Sequence, residues 1–393
     1  MVKILTPENF KERQDREDKF YLIDTRSQVD YEKWHIKDAV NFPYVPSDEL
    51  KEENIRKLGE EVGFEKDDEI ITVCAKGTSS LDLAKKLEEI GFEKVRALEG
   101  GMRAWSGVYD SVPITTSNPD LKIIQLQRRA KGCTGYIIGS KKYGEAAAID
   151  VSRYANKFLE AASEHGFRIT HVFDTHIHAD HITGGRELAK KLEIPYHLGE
   201  TAKKRISKYS FQGVAENEVI KIGDIDIKAI PTPGHTSEMT SWLIEGEAIV
   251  TGDSLFIDSV GRTELEFQAD QAKEGAIMQY ESLNKKVMAL PDKVKILPGH
   301  FSVTEDGRTP GVTPGTPIFS TVGLLRTNNQ ALKMSKEKFI EYMFENIPDK
   351  PPNYEEVIAV NLGEREITDE NEAIELELGP NRCAASEESM LDS

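Results

Sequence analysis

The sequence predicts a protein of the α/β and α+β classes, with a smaller α/β domain followed by a larger domain of strands and helices. Its 393 residues are too many for one ordinary domain of about 150 residues, which suggests two or three domains. In residues 1–110, short apolar runs alternate with helical patterns, as in a parallel α/β sheet. In residues 122–363, apolar runs repeatedly end at a glycine followed by a histidine or aspartate, which is typical of a site built at strand ends.

Charge and composition restrict the expected partners. The chain has 50 basic and 68 acidic residues, a net charge of −18, so nucleic acid and anionic membranes, which require a basic surface, are not expected. No apolar run approaches the ~20 residues of a membrane helix, and the charged N-terminus has no signal-peptide pattern. Cys74, Cys133 and Cys383 lie far apart, which favours a reducing compartment over a disulfide framework. We expect a soluble, cytoplasmic protein, and the sequence leaves a homo-oligomer open.

The first segment shows strand–helix alternation. Residues 20–24, 69–73 and 94–98 are short apolar runs that predict strands. Apolar side chains in residues 81–90 have helical spacing, and Gly91 then ends the predicted helix. This order predicts a parallel sheet with helices between its strands.

Cys74 lies where the predicted strand at residues 69–73 gives way to a short loop and a helix. Backbone N–H groups of such a loop point inward and the helix N-terminus adds positive potential, so both stabilise a thiolate and lower its pKa. A lone cysteine at a strand end is more often buried and unreactive, but this position favours a reactive thiol. The candidate substrate-binding loop comprises Cys74, Ala75, Lys76, Gly77, Thr78, Ser79 and Ser80.

Four motifs make this segment resemble a single rhodanese (sulfurtransferase) domain. They are Asp-Thr-Arg at residues 24–26, Tyr-Glu-Lys-Trp-His-Ile at 31–36, the Cys74 loop, and Glu-Gly-Gly-Met-Arg-Ala-Trp at 99–105. The resemblance implies that Cys74 carries a sulfane sulfur as a persulfide. The family loop usually has arginine where this chain has Ala75 and Ser79. Lys76 is then the only cation of the loop, which predicts inefficient use of a dianionic donor such as thiosulfate.

Two further segments differ in composition from the predicted domains. Residues 111–121 contain two prolines and several turn-forming residues, which predicts a linker. Residues 364–393 hold ten acidic and two basic residues, nearly half of the net charge, and predict an acidic tail. Within that tail, residues 373–378 alternate like an edge strand, and the sequence leaves open whether the tail docks or is disordered. The predicted domains are therefore residues 1–110 and 122–363.

The second segment holds most of the nine histidines, and three of them fall within six residues. His176, His178, Asp180 and His181 lie on a predicted loop after an apolar strand at residues 169–174. In a protein core, three imidazoles and a carboxylate would repel one another on protonation and leave hydrogen bonds unmade. Metal coordination explains the cluster better than surface decoration does.

Further ligand-type residues follow apolar strands downstream. They are His235, Asp253 and His300, each directly after a glycine. Any one of them alone is more safely interpreted as a surface turn residue. Together with the histidine cluster, they predict one metal site.

The order of these motifs, H-x-H-x-D-H and then His, Asp and His, resembles that of the metallo-β-lactamase superfamily. The resemblance implies an αβ/βα sandwich with a metal site at one sheet edge. The superfamily includes hydrolases such as glyoxalase II, usually with two metals, and mononuclear iron persulfide dioxygenases. Residues 132–136, 260–265 and 351–363 look like those of the dioxygenases, and fusion to a rhodanese domain also favours them.

The dioxygenase resemblance implies one Fe(II) held by His176, His235 and Asp253. Two imidazoles and one carboxylate form the facial triad of non-haem iron oxygenases, which leaves positions open for substrate and O₂. Other site residues would orient these ligands or, with zinc as the alternative metal, hold a second ion. They are His178, Asp180, His181 and His300.

For two residues near these motifs, the sequence is compatible with two roles each. Arg262 is a catalytic candidate that would hold a substrate carboxylate or position the site, and a structural ion pair is the alternative. Cys133 lies in an apolar strand and is expected to be a packed core thiol rather than a sulfur relay.

The sequence therefore predicts a persulfide dioxygenase (sulfur dioxygenase) fused to a thiosulfate:acceptor sulfurtransferase-like domain. A low-molecular-weight thiol persulfide, O₂ and water would give sulfite and the thiol. Cys74 would deliver sulfane sulfur or join it to sulfite as thiosulfate. The alternative enzyme is a dinuclear zinc thioester hydrolase of the glyoxalase II type with a sulfur-carrier module. A third interpretation, of another class, is a sulfur-binding sensor or carrier with degenerate sites.

Overall fold

The computed structural model describes residues 2–46, 51–267, 272–301, 315–345 and 350–385. Within them the chain forms a five-stranded, a seven-stranded and a six-stranded sheet. In these ranges no helix is both long and apolar enough to cross a bilayer. Residues 386–393 of the predicted tail lie outside the described residues.

The N-terminal domain has the predicted α/β fold. Its elements are β1 Lys3–Leu5, α1 Pro7–Asp15, β2 Tyr21–Asp24, α2 Gln28–Lys33, β3 Ala39–Asn41, α3 Glu52–Val62, β4 Glu69–Val73, α4 Thr78–Glu89, β5 Lys94–Leu98 and α5 Gly101–Trp105. The strands run parallel in the order β1-β5-β4-β2-β3. Neighbouring strand residues such as Leu22 and Ile23 point to opposite faces. One face packs against α3 and α4, and the other against α1 and α5.

The second domain contains the other two sheets. The elements of its first half are β6 Tyr109–Ile114, β7 Leu121–Arg128, β8 Cys133–Ser140, β9 Glu145–Ile149, α6 Ala155–Glu164, β10 Arg168–Phe173, α7 Gly185–Leu192, β11 Tyr196–Gly199 and β12 Gln212–Val214. Those of its second half are β13 Val219–Ile222, β14 Ile225–Pro231, β15 Thr240–Ile244, β16 Ala248–Gly252, α8 Ala272–Ser282, β17 Lys295–Pro298, β18 Ser320–Thr321, α9 Val322–Asn328, α10 Lys336–Glu345, α11 Tyr354–Asn361 and α12 Glu370–Leu376.

The two sheets of this domain pack face to face, as the predicted αβ/βα sandwich requires. Their orders are β12-β11-β10-β9-β8-β7-β6 and β13-β14-β15-β16-β17-β18. Side chains from both sheets, including Tyr136 and Trp242, fill the layer between them. Helices α6 and α7 cover the outer face of the first sheet, and α8, α9 and α10 cover that of the second. The C-terminal ends of central strands of both sheets therefore meet at one end of the sandwich.

The prediction of a linker at residues 111–121 is wrong for residues 111–114, which belong to strand β6. Strand β6 pairs antiparallel with β7 and buries Val112 and Ile114. Pro113, which favoured a linker, is tolerated because β6 lies at the edge of its sheet. The second domain therefore begins at residue 109. Residues 109 and 110, which were predicted to end the first domain, belong to the seven-stranded sheet of the second.

Residues 364–385 of the acidic tail, whose docking the sequence left open, pack against the rest of the molecule. Residues 370–376 form α12 instead of the predicted edge strand, with Asp369 accepting a hydrogen bond from the Asn371 N–H at the helix start. This cap favours a helix over the strand that the apolar alternation suggested. Beyond α12, Glu377 and Cys383 are buried, so the segment is part of the folded molecule.

Candidate metal centre and sulfur-carrier loop

The candidate metal ligands meet at one end of the sandwich, because strands deliver each of them. The loop after β10 carries the histidine cluster at residues 176–181, and β14, β16 and β17 lead to His235, Asp253 and His300. All these histidines and aspartates are buried. The structure brings the seven residues singled out in the sequence into one cluster.

His176, His235 and Asp253 form the inner group of this cluster. The Nε2 atoms of His176 and His235 lie 3.7 and 3.6 Å from the Oδ2 atom of Asp253. The two imidazole rings are nearly perpendicular, with centroids 5.0 Å apart. One ion between the three atoms could contact all of them, since their mutual separations stay within 4.8 Å.

Hydrogen bonds leave the inward atoms of this group free for a cation. His235 Nδ1 lies 2.6 Å from the carbonyl oxygen of Arg262, so Nδ1 donates and Nε2 keeps its lone pair. Among the described residues, His176 Nε2 and Asp253 Oδ2 are buried with no hydrogen-bond partner. Buried polar atoms are rarely left unsatisfied. The residues therefore fit a bound metal ion.

His178 packs beside His176, with ring centroids 4.1 Å apart, but belongs to a different group of donor atoms. Its Nε2 atom lies 3.5 Å from Asp150 Oδ1, and its donor atom clusters with Asp150 and Asp174. Asp150 also accepts hydrogen bonds from the N–H and hydroxyl of Thr175, directly before His176. Burial raises the pKa of Asp174 to about 6. The donor atom of His178 thus falls outside the triad, although neither of its ring nitrogens has a hydrogen-bond partner among the described residues.

Asp180, His181 and His300 satisfy one another by hydrogen bonds. His300 Nδ1 lies 2.6 Å from Asp253 Oδ1, and His300 Nε2 lies 3.0 Å from Asp180 Oδ2. The other oxygen of Asp180 lies 3.0 Å from His181 Nδ1. Burial opposes a charged imidazole, but the carboxylates of Asp253 and Asp180 outweigh it and raise the pKa of His300 well above its usual value.

The two remaining cysteines of the second domain face this same group. Cys133 is buried as predicted, and its Sγ atom donates to Asp180 Oδ2 at 3.3 Å, which places the thiol beside the candidate ligand cluster. Strand alternation at β8 turns Cys133 to the site. Cys383 lies against Asp180, Asp253 and His300, which the sequence did not indicate because nothing placed the tail beside the site.

Arg262 is buried and its side chain contacts protein groups. Its Nε atom donates to Glu264 at 2.5 Å and its Nη1 atom to the Arg382 carbonyl at 3.1 Å. These contacts favour the structural ion pair that the sequence left as the alternative. The backbone of Arg262 also serves the site, because its carbonyl oxygen fixes the ring of His235.

A buried carboxylate that the sequence reading missed joins two ligand loops. Glu238 lies three residues after His235 and accepts the Ile177 N–H at 3.0 Å. Its other oxygen accepts from Arg205 Nη1 at 2.7 Å. Glu238 thereby holds the histidine loop against the loop of His235. Its position three residues after a candidate ligand histidine could have indicated this role. A carboxylate that is buried beside a site must be paired with hydrogen-bond donors.

The Cys74 loop has the geometry expected of a sulfur carrier. Cys74 Sγ accepts from the Gly77 N–H at 3.0 Å and from the Ser80 hydroxyl at 3.2 Å. Burial alone would raise the pKa of the Cys74 thiol, but hydrogen bonding from Ser79 and Ser80 outweighs it and lowers that pKa. The exposed members of the loop are Ala75, Lys76 and Thr78.

Two family models match the chain. Residues 6–107 match the rhodanese-like domain, and residues 143–300 match the metallo-beta-lactamase superfamily. These matches confirm the two predicted domains by class and order. The chain is a metallo-β-lactamase superfamily protein with a rhodanese-like domain before it.

Comparison with individual proteins identifies a narrower family within this superfamily. The mitochondrial persulfide dioxygenase ETHE1 of Mus musculus is 30% identical over 236 residues, which are 59% of this chain and 84% of that protein. A hydroxyacylglutathione hydrolase of Rhodopseudomonas palustris is 31% identical over 167 residues, which are 42% of this chain but 61% of that protein. By the first of these matches, the chain belongs to the family of the ETHE1 persulfide dioxygenases.

Solved structures agree with this assignment. ETHE1 from Myxococcus xanthus superposes with a TM-score of 0.52 at 26% identity, covering 61% of this chain and 98% of that one. A metallo-beta-lactamase from Staphylococcus aureus subsp. aureus COL gives a TM-score of 0.56 at 27% identity, covering 63% and 74%.

Proposed function

We propose that the chain is a cytoplasmic persulfide dioxygenase–sulfurtransferase that oxidises a low-molecular-weight thiol persulfide. The overall reaction is RSSH + O₂ + H₂O → RSH + H₂SO₃, in which the sulfane sulfur is oxidised and O₂ is reduced. The similarity to ETHE1 proteins supports the choice of substrate class. The rhodanese-like domain supports it too, because it handles sulfur of the same oxidation state.

The observation that carries the proposal is the contrast between the inward atoms of the triad and the ring nitrogens of His300. In the part of the chain that the structure describes, His176 Nε2 and Asp253 Oδ2 have no hydrogen-bond partner, and Arg262 O holds His235 by Nδ1, whereas His300 is hydrogen-bonded to carboxylates at both ring nitrogens. His178 lies with Asp150 instead of the triad. A two-histidine, one-carboxylate set is the donor set of non-haem Fe(II) oxygenases, so we assign one Fe(II) to it.

The surrounding residues prepare this triad for an ion. Arg262 O holds the His235 ring so that Nε2 faces inward. His300 occupies Asp253 Oδ1, which leaves Oδ2 as the inward oxygen. Burial of the whole group excludes bulk water, which protects a reactive sulfur from side reactions. Fe(II), when bound, would bring persulfide and O₂ together and supply the electronic coupling between them.

The N-terminal domain would move sulfur to or from the first product. The Cys74 thiolate attacks a sulfane sulfur and becomes Cys74–S–S⁻, releasing the donor thiolate. Sulfite can then attack the outer sulfur, which forms thiosulfate and restores the Cys74 thiolate. Gly77 N–H and the Ser80 hydroxyl, which contact Sγ, stabilise the thiolate as both nucleophile and leaving group.

A dinuclear zinc thioester hydrolase is the second candidate. The hydroxyacylglutathione hydrolase relatives and the complete set of superfamily ligands favour it. Its second ion would have to displace the hydrogen bonds among Asp180, His181 and His300.

Metal reconstitution distinguishes the two candidates. We expect the metal-free chain to bind one Fe(II) and then to consume O₂ when glutathione persulfide is added, whereas Zn(II) loading should give no O₂ uptake. Hydrolysis of S-lactoylglutathione by a form with two zincs, without O₂ uptake by the iron form, would favour the hydrolase instead.

A further inference from the structure

The histidine loop is held at its backbone by residues from distant parts of the chain. At its start, Glu238 accepts the Ile177 N–H. In the middle, the Asn361 side-chain amide donates to the carbonyl oxygens of His178 and His181 at 2.8 and 2.9 Å. At its end, Glu377 Oε2 accepts the Ile182 N–H at 3.1 Å. Two of these three residues, Asn361 and Glu377, lie beyond residue 350, after the segment that matches the superfamily.

Glu377 is a buried charge with buried partners. Its carboxylate pairs with Arg128 Nη2 at 3.2 Å and with Arg153 Nε, and both guanidinium groups are largely buried. Burial would raise the pKa of Glu377, but the charges of Arg128 and Arg153 outweigh it and lower that pKa. Such a group is costly to desolvate unless fully paired. The third bond of this carboxylate goes to the loop that carries the metal ligands.

The segment around Glu377 also contacts the second ligand loop and the N-terminal domain. The Cys383 carbonyl accepts the Arg262 N–H at 2.9 Å, and Arg262 O in turn fixes His235. On the other side, Arg103 of α5 donates to Asn371 at 2.9 Å. Leu378 packs against the apolar cluster of the N-terminal domain. We name residues 370–385 the strap.

We infer that Glu377 is a positioning residue of the metal centre, and that the strap supplies it from a part of the chain that also contacts the rhodanese-like domain. Glu377 fixes the loop end that follows Asp180 and His181, while its two arginines fix Glu377. This inference extends the proposed function but concerns how the ligand loop is held, whichever divalent metal binds. It assigns a site function to a segment whose role the sequence left open.

The test compares Glu377→Gln with Glu370→Gln in the full-length chain. Glu370 is an exposed partner of the same Arg153 and, among the described residues, makes no hydrogen bond to the histidine loop, so it controls for loss of a charge beside Arg153. The readouts are the affinities of the metal-free protein for Fe(II) and Zn(II), and hydrogen exchange of the peptide that covers residues 176–183.

We expect Glu377→Gln to weaken metal affinity by about 10- to 100-fold, the usual effect of losing a group that orients a ligand. Exchange in residues 176–183 should accelerate, while Glu370→Gln stays close to wild type in both readouts. Folded Glu377→Gln protein with wild-type affinity and exchange would overturn the inference.

A charge-conserving variant covers the case in which Glu377→Gln does not fold. Glu377→Asp keeps the pairing with Arg128 and Arg153 but draws the carboxylate back from Ile182. It should show the same weakened affinity and faster exchange in milder form, and wild-type values would again contradict the inference. If wild-type protein shows no persulfide-dependent O₂ uptake, the proposed function fails, but the Zn(II) affinities still decide the role of Glu377.

Discussion

At the scale of single residues, hydrogen bonds to the reactive atoms set the chemistry of both sites. Cys74 is buried, which by itself disfavours a thiolate, yet Ser79, Ser80 and the loop N–H groups reverse the balance and lower its pKa. In the candidate metal centre, hydrogen bonds instead go to the ligand atoms that face away from the ion position. There, His300 and Arg262 O occupy the outer atoms of Asp253 and His235, so that only inward atoms remain for an ion.

The lowered pKa of Cys74 predicts a shifted pH profile for its alkylation. The thiolate reacts and the thiol does not, so the rate should rise with pH and level off above the pKa, at a lower pH than for an ordinary cysteine. Ser80→Ala removes one hydrogen bond to Sγ and should move this inflection to higher pH by about one unit. Iodoacetamide kinetics on the two proteins measure it. An unchanged inflection would mean that Ser80 does not stabilise the thiolate.

The two neighbouring histidines of the cluster should differ in their effect on metal binding. His176→Ala removes a donor of the triad and should abolish stable Fe(II) binding. His178→Ala removes a residue that contacts Asp150 and should cost only about 10-fold in affinity, as for an orienting neighbour. Chelator competition measures both. Equal and complete loss in both variants would indicate three imidazole ligands and contradict the triad.

At the scale of elements, the strands whose positions could be predicted are short apolar runs that end at a glycine or at a chemically distinctive residue. Strands β4 and β5 have the predicted bounds. Strand β6 was missed because Pro113 and its neighbours have loop composition, and only pairing with β7 makes a strand of them. Helix α12 was missed because residues 373–378 alternate in polarity, whereas its Asp369 cap acts on the backbone.

The junction between α5 and the Cys74 loop is the element contact on which sulfur transfer should depend most. Gly101 has φ +59°, and a Cβ there would lie 2.0 Å from the Cys74 carbonyl oxygen. Gly101→Ala should displace the loop and reduce sulfur transfer to cyanide by on the order of 100-fold.

Gly63→Ala is the matched control for this change. Gly63 also has positive φ, +87°, but nothing lies near its missing Cβ, so its cost is backbone strain of about 1 kcal/mol. Wild-type transfer rates in Gly101→Ala would show that the loop does not need this contact.

At the scale of the whole molecule, the domains are joined by a folded interface rather than by a flexible linker. Arg129 at the end of β7 pairs with Asp15 of α1 and with Asp110 of β6. The strap adds a second connection through Arg103.

The sequence indicated both domains and the seven clustered ligand candidates, because these have local motifs. It did not indicate the contacts of Glu377, Asn361 or Cys383, because a local sequence pattern does not show which distant residues come into contact.

This fixed arrangement gives a prediction for the coupled reaction. The intact chain supplied with glutathione persulfide and O₂ should release both sulfite and thiosulfate. Cys74→Ser should release sulfite alone at an unchanged rate of O₂ uptake, because a serine hydroxyl is not ionised at neutral pH and forms no persulfide. Ion chromatography of the products provides the measurement. Thiosulfate formed equally by Cys74→Ser would show that it arises in solution, and loss of both products would show that the two sites are not separable.

The most direct test of the dioxygenase assignment is the stoichiometry of O₂ uptake by the singly iron-loaded chain. With Cys74→Ser protein and glutathione persulfide as the probe, an oxygen electrode and a sulfite assay should show one O₂ consumed and one sulfite formed per persulfide. Asp253→Ala, which lacks the anionic ligand of the triad, should show neither. O₂ uptake no faster than with metal-free protein, together with thioester hydrolysis by a form with two zincs, would contradict the account.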